Sequence, residues 1–204
     1  MFKNVFIGKN AKNQSKRILI LGESHYEEIG EIDGTESVVK FLAVEGNDTE
    51  KKTMFYKNIM KTFGYDVTPE NRKLFWNKVF CGNYVDTLCG KGENNTAKHH
   101  ITNNRKNYNN SLFDFINKNG IDIVFCFSRL VYNNLPGFAK GEKEEKLINH
   151  KKLYLNKSEY RPEYIHKWCD IRLNKQLTVY GLKHPSAFYS YEKYSEALKN
   201  EIQI

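Results

Sequence analysis

The chain has 204 residues and a mass of 24.0 kDa, and its 40% hydrophobic and 14% aromatic content is enough for one large domain to bury its own core. Lys and Arg number 32 against 24 Asp and Glu, leaving a formal charge of +8 and a pI near 9.1, so the surface favours polyanions such as nucleic acid or an anionic membrane. No apolar run approaches the roughly 18 to 20 residues that cross a bilayer, and Met1-Phe2-Lys3-Asn4-Val5 lacks the long apolar region of a secretory signal. The expectation is a soluble, cytoplasmic protein with no membrane partner.

Arg17-Ile18-Leu19-Ile20-Leu21 is the clearest strand, a continuous apolar run ending at Gly22, as expected for a parallel strand buried on both faces. The short polar stretch Gly22-Glu23-Ser24-His25-Tyr26 follows, where ligands bind in open α/β sheets. Residues 35–62 read as helical with a loop inside, because Val38, Val39, Leu42 and then Met54, Phe55, Ile59 and Phe63 recur at three- and four-residue intervals. Gly64 then ends the helix.

Asn71 to Lys78 is amphipathic, and Val79 to Val85 reads as a second strand that breaks at Gly82 and Asn83. From Cys89 to Asn110 the chain is rich in Gly, Asn and Lys with little periodicity, which predicts a loop on the same rim. Ser111 is the predicted N-cap of a helix over Leu112 to Lys118 that stops at Asn119-Gly120. Ile121 to Phe127 is a third buried strand, followed by Ser128 and a short helix carrying Leu130, Val131 and Leu135.

Pro136 and Gly137 break that element, and the charged stretch from Lys140 to Lys175, with Tyr154, Tyr160, Tyr164 and Trp168, has no clear pattern. Its aromatics fit a stacking, phosphate-binding surface or a helical stripe packed on the sheet. Leu177 to Leu182 is a fourth strand, ended by Lys183-His184-Pro185-Ser186, and Tyr191 to Ile204 is a closing amphipathic helix. Strands alternating with helices predict an α/β fold: a three-layer α/β/α domain with a four-stranded, mainly parallel sheet, formed by residues 1–204 as a single domain.

The cysteines Cys81, Cys89, Cys126 and Cys169 are widely spread, with no Cys-x-x-Cys pair and no zinc-finger spacing, so they read as reduced structural thiols. His99 and His100 are adjacent, and successive side chains diverge rather than chelate one ion, so no metal is expected. The Gly-x-Ser-x-Gly needed for a nucleophile elbow is absent around Ser24, since position 26 is Tyr.

Three strand ends therefore present polar groups, and parallel strands bring them to one edge. At these places the chain resembles the uracil-DNA glycosylase superfamily. Leu19-Ile20-Leu21-Gly22-Glu23-Ser24-His25-Tyr26 is similar to the family's first motif, an apolar strand followed by Gly-Gln-Asp-Pro-Tyr-His in one branch and Gly-Glu-Ala-Pro-Gly in another. His184-Pro185-Ser186-Ala187-Phe188-Tyr189-Ser190 resembles the family's His-Pro-Ser-Pro-Leu-Ser, and Val79 to Val85 fits the strand that supplies its pocket asparagine. The order agrees over roughly residues 16–195.

The resemblance implies a DNA glycosylase-like hydrolase that flips a base out of DNA and cleaves its N-glycosidic bond, with DNA as partner and no cofactor. It implies that Gly22 and Tyr26 shape the pocket, that Asn83 hydrogen-bonds the base edge, and that His184 stabilises the departing base oxyanion. It further implies that Ser186 grips a phosphate and that Phe188 is the apolar wedge.

Two departures bear on catalysis. The strongest branch has a water-orienting aspartate where this chain has Ser24, a much poorer base than a carboxylate, so Glu23 takes that role only if it faces the sugar. No cysteine precedes Cys81, which excludes the close N-terminal pair of the cluster-bearing branch. The alternatives are a catalytically silent nucleic-acid- or nucleotide-binding module on the same fold, and a hydrolase of free nucleosides or modified bases.

Overall fold

A computed structural model describes residues 2–25, 34–47, 50–90, 92–135, 150–153, 163–168, 175, 177–185 and 189–199, of which 50–52, 93, 150–153 and 163–168 are described by their backbone alone. The strands are β1 (Phe6–Ile7), β2 (Ile18–Gly22), β3 (Phe80–Asn83), β4 (Ile123–Cys126), β5 (His150–Leu153), β6 (Glu163–Trp168) and β7 (Leu177–Gly181). The helices are α1 (Gly34–Val38), which runs into a π-helical turn over Val39–Val44, then α2 (Glu50–Thr62), α3 (Pro69–Trp76), α4 (Ala97–Asn119), α5 (Arg129–Tyr132) and α6 (Tyr191–Leu198).

The seven strands of the described residues join one sheet in the order β1-β3-β2-β4-β7-β6-β5. The inner strands β3, β2, β4 and β7 are parallel, with Leu19 opposite Phe80 and Val124, and Val124 opposite Val179. These are the four strands expected from the apolar runs. The expected four-stranded sheet is nevertheless too small, because antiparallel strands extend it at both edges. Strand β1 pairs with β3, and β6 pairs with β7 and β5. A two-residue strand has no periodicity to read, and β5 and β6 come from the charged stretch whose pattern was silent. Tyr164 and Trp168 lie in β6, so for them the helical stripe is ruled out.

Side chains alternate across the sheet and are buried on both faces, as parallel strands require. Leu19, Leu21, Val124, Cys126 and Val179 pack with Ile101, Leu112, Phe113 and Ile116 of α4 and Val131 of α5. Ile18, Ile20, Ile123, Phe125 and Tyr180 pack on the other face with Val38, Ile59, Met60, Phe75, Trp76, Tyr194 and Leu198 from α1, α2, α3 and α6. Helices therefore cover both faces. Each fully buried Leu, Ile or Phe contributes about 1.5–3 kcal/mol.

Helix α4 corrects the expected loop from Cys89 to Asn110. Thr96 caps it by accepting from His99 N at 3.2 Å, and the helix kinks at Asn104. Ala97, Ile101, Tyr108 and Leu112 supply the buried stripe, while the asparagines between them carry the polar face that masked the period. One asparagine is structural: Asn109 accepts from Tyr84 Oη at 2.7 Å and donates to Asn134 O at 3.2 Å, tying β3 to α4 and α5. Ser111 is inside the helix rather than its cap, and its hydroxyl accepts from Phe2 N at 2.6 Å. The expected stop holds, with Gly120 in the left-handed conformation at φ 60°.

Among the parallel strands the chain order is reversed once. From β2 it crosses by α1–α3 on one face to β3, then by α4 on the opposite face past β2 to β4. The switch point lies between the ends of β2 and β4, where a crevice opens in folds of this kind. No helix among the described residues is long and apolar enough to cross a membrane.

Candidate active site

Strand β2 delivers Gly22 and then Glu23, Ser24 and His25, and this segment stays paired beyond the sheet. Tyr84 N donates to Gly22 O at 3.0 Å, Val85 N to Glu23 O at 2.9 Å and Cys89 N to His25 O at 2.7 Å. The main chain carrying Glu23 is thereby held on one side through its whole length.

Asn83 ends β3 directly opposite Gly22 and is 8% exposed. A Cβ at position 22 would stand 2.3 Å from Asn83 Oδ1 and 3.6 Å from Phe55 Cζ. Only glycine leaves the Asn83 amide this place. None of the side-chain hydrogen bonds among the described residues uses that amide, although a buried carboxamide normally has partners.

His184 follows β7 two residues after Leu182, whose N donates to Cys126 O at 2.8 Å. Its ring packs against Phe55 with centroids 5.1 Å apart and planes at 45°. Burial pushes the His184 pKa down, and the nearby Glu23 carboxylate pushes it partly back up, so the two groups are electrostatic neighbours. Phe55 thus packs on the histidine ring, and its Cζ would also meet a side chain placed at position 22.

Helix α2 also holds the loop after His184. Asn58, buried one turn after Phe55, donates from Nδ2 to Pro185 O at 2.6 Å. Thr62 donates to Asn58 O at 2.8 Å and is 2.8 Å from Tyr189 Oη, so the tyrosine is the donor in the second bond. Tyr189 in turn stacks on Tyr194 of α6 at 4.5 Å. One face of α2 therefore sets the path of the chain on both sides of residues 186–188.

Glu23 is fixed by a residue from a third strand end. The Ser128 hydroxyl donates to Glu23 Oε2 at 2.6 Å while accepting from Val131 N at 3.2 Å as the N-cap of α5. Ser24 is different in kind. Its hydroxyl is buried with no hydrogen-bond partner among the described residues, although it lies beside the Cys89 thiol. Burial pushes that thiol up, the Ser24 hydroxyl lowers it and Glu23 raises it. Burial also pushes the Cys126 thiol up to about 12. These thiols are protonated at neutral pH and are not nucleophiles.

His25 points away toward α1, with Nε2 3.1 Å from Thr35 Oγ1, and burial lowers its pKa. His99 and His100 are each tied to an asparagine, at Asn103 and Asn95. No group of three His, Cys, Asp or Glu among the described residues could hold a metal ion.

Of the residues singled out in the sequence, Gly22, Glu23, Asn83 and His184 converge at one end of the parallel strands, and Ser24 lies there beneath the surface. Tyr26, Ser186 and Phe188 lie outside the described residues. Phe55, Asn58 and Ser128 escaped notice as site residues. Phe55 reads as one more core position of an amphipathic helix. Ser128 carried the one available signal, a polar residue after a buried strand. The chain matches no protein-family model, and no curated protein is significantly similar to it.

Proposed function

We propose that this protein is a DNA glycosylase-like hydrolase of the uracil-DNA glycosylase type, cleaving the N-glycosidic bond of uracil or another modified base flipped out of DNA. The observation that carries the reading is the Asn83 amide: nearly buried, set against Gly22, and grouped with Glu23 and His184 at one sheet edge. A carboxamide offers a donor and an acceptor together, the combination a base edge requires. The resemblance at Gly22-Glu23, Asn83 and His184-Pro185-Ser186 and the charge of +8 support it further.

In this reading Asn83 grips the base edge and Phe55 lies against the base face, a contact worth about 1–3 kcal/mol per base. His184, neutral at pH 7 because burial lowers its pKa, donates to the oxygen on which charge develops as the base departs. Glu23 orients the attacking water, and Ser24 stays outside the chemistry. Phe188 wedges the emptied stack and Ser186 holds a phosphate.

The test is a panel of duplexes carrying one uracil, hypoxanthine, xanthine or oxidised pyrimidine. Abasic product is expected on at least one of them. His184→Ala should lower its turnover by about 100- to 1,000-fold with duplex affinity retained, and Asn83→Ala should lose discrimination between bases. No product on any duplex, with salt-sensitive binding intact, would replace this reading with a silent binding module, for which Ser24 at the acid position already argues. Flat, salt-independent binding would remove DNA as the partner.

A further inference from the structure

We infer that Ser128 is a positioning residue that fixes the orientation of Glu23 across the switch point of the sheet. The two residues are 105 positions apart and sit at the ends of β2 and β4, the adjacent strands between which the chain order reverses. The proposal rests on the glycosylase reading only for the consequence to catalysis; the geometry itself does not depend on it.

One proton sets the direction of this bond. A serine hydroxyl has a single hydrogen and two lone pairs. Ser128 Oγ accepts from Val131 N at 3.2 Å, and that backbone donor cannot reverse its role. The hydroxyl hydrogen is left for Glu23 Oε2 at 2.6 Å, a length typical of a charge-assisted O–H···O bond to a carboxylate.

Ser128 has no freedom to leave this arrangement. It is 1% exposed, its backbone is extended at φ −156° and ψ 121°, and its carbonyl accepts from Tyr132 N at 2.9 Å in the first turn of α5. Strand β4, buried on both faces, fixes the residue from the other side. The N-cap of α5 and the orientation of Glu23 are therefore one structural unit. Glu23 is a long side chain, and a long side chain needs an external constraint to hold one rotamer.

Ser128→Gly removes the donor and is mild on the cap, because glycine is well tolerated at an N-cap. Ser128→Thr keeps both the cap and the donor.

The experiment follows the Glu23 side-chain carboxyl carbon by NMR at neutral pH, with the signal assigned by its loss in Glu23→Gln. The Glu23 signal should move in Ser128→Gly and return to its wild-type position in Ser128→Thr. An unmoved signal in Ser128→Gly overturns the inference, as does a threonine variant that behaves like glycine. On a duplex substrate, Ser128→Gly should lower kcat about tenfold with KM unchanged. If wild type cleaves no duplex while the NMR signal still moves, the glycosylase reading fails and the positioning role of Ser128 stands.

Discussion

The two sides of the site are held by different means. On the β2–β3 side the backbone keeps pairing past the strands, through Gly22, Glu23 and His25, and Asn83 is seated by the missing Cβ of Gly22. On the β7 side the ladder ends with Leu182, and the chain that follows is held by side chains of α2: Phe55 under the His184 ring, Asn58 on Pro185 and Thr62 on Tyr189. The first side is inseparable from the fold. The second is an attachment, so substitutions there should alter the site and leave the β2–β3 pairing in place.

The strongest way to break this contrast is Gly22→Ala. Its Cβ would meet Asn83 Oδ1 at 2.3 Å, so the amide must move, and overpacking of this kind costs about 1–3 kcal/mol. A displacement near 1 Å at the reacting groups removes roughly 100-fold of turnover. Denaturant unfolding and the duplex assay should therefore both register the change, and a variant with wild-type kinetics would show that Asn83 is not held by this packing.

Asn58→Ala comes next. It strips the donor from the Pro185 carbonyl, and an unsatisfied buried group costs about 1–3 kcal/mol. Turnover should fall about tenfold as His184 loses its fixed path, while the β2 side keeps its geometry. That separation is readable by NMR, with the His184 ring signals shifted and those of Gly22 and Asn83 unmoved. Shifts on both sides would merge the two regions into one. Tyr189→Phe should do less, about 1 kcal/mol by thermal unfolding, because its bond to Thr62 is removed while the stacking on Tyr194 remains.

The smallest effect is on pH. His25 and His184 both have pKa values below the ordinary 6.5 because burial disfavours their charged forms. In the unfolded chain they protonate at the ordinary value. The stability tied to their neutrality is therefore fully present above pH 6.5 and is lost as pH falls below it toward the folded values. The thermal midpoint should drop between about pH 7 and 5, and replacing His184 by Gln should reduce that drop. An equal slope in the variant would show that this histidine does not contribute.

How much of this was legible in the sequence varies from residue to residue. The parallel strands were readable because Ile18 to Leu21 and Ile123 to Cys126, buried on both faces, form unbroken apolar runs. Glu23, Asn83 and His184 were readable because each is polar and follows such a run. The helix from Ala97 was hidden by its own composition: asparagine favours loops on average, yet Thr96 caps the helix and Ile101, Tyr108 and Leu112 pay its cost by packing on the sheet. Phe55 could not be told from a core residue, since aromatic side chains at helical spacing look alike whether they face the sheet or a site.

Local pattern alone determined the α/β class, the four inner strands and the polar groups at their ends, because periodicity and strand-end polarity are written over a few neighbouring residues. Only the tertiary structure decided which of those groups meet. The Ser128–Glu23 bond spans 105 positions and the Asn58–Pro185 bond 127, and both exist because the order β3-β2-β4-β7 brings those strand ends and the α2 face to one edge. Hydrogen bonds are short-ranged and orientation-dependent, so no reading of residues along the chain can supply them before the sheet has set its order.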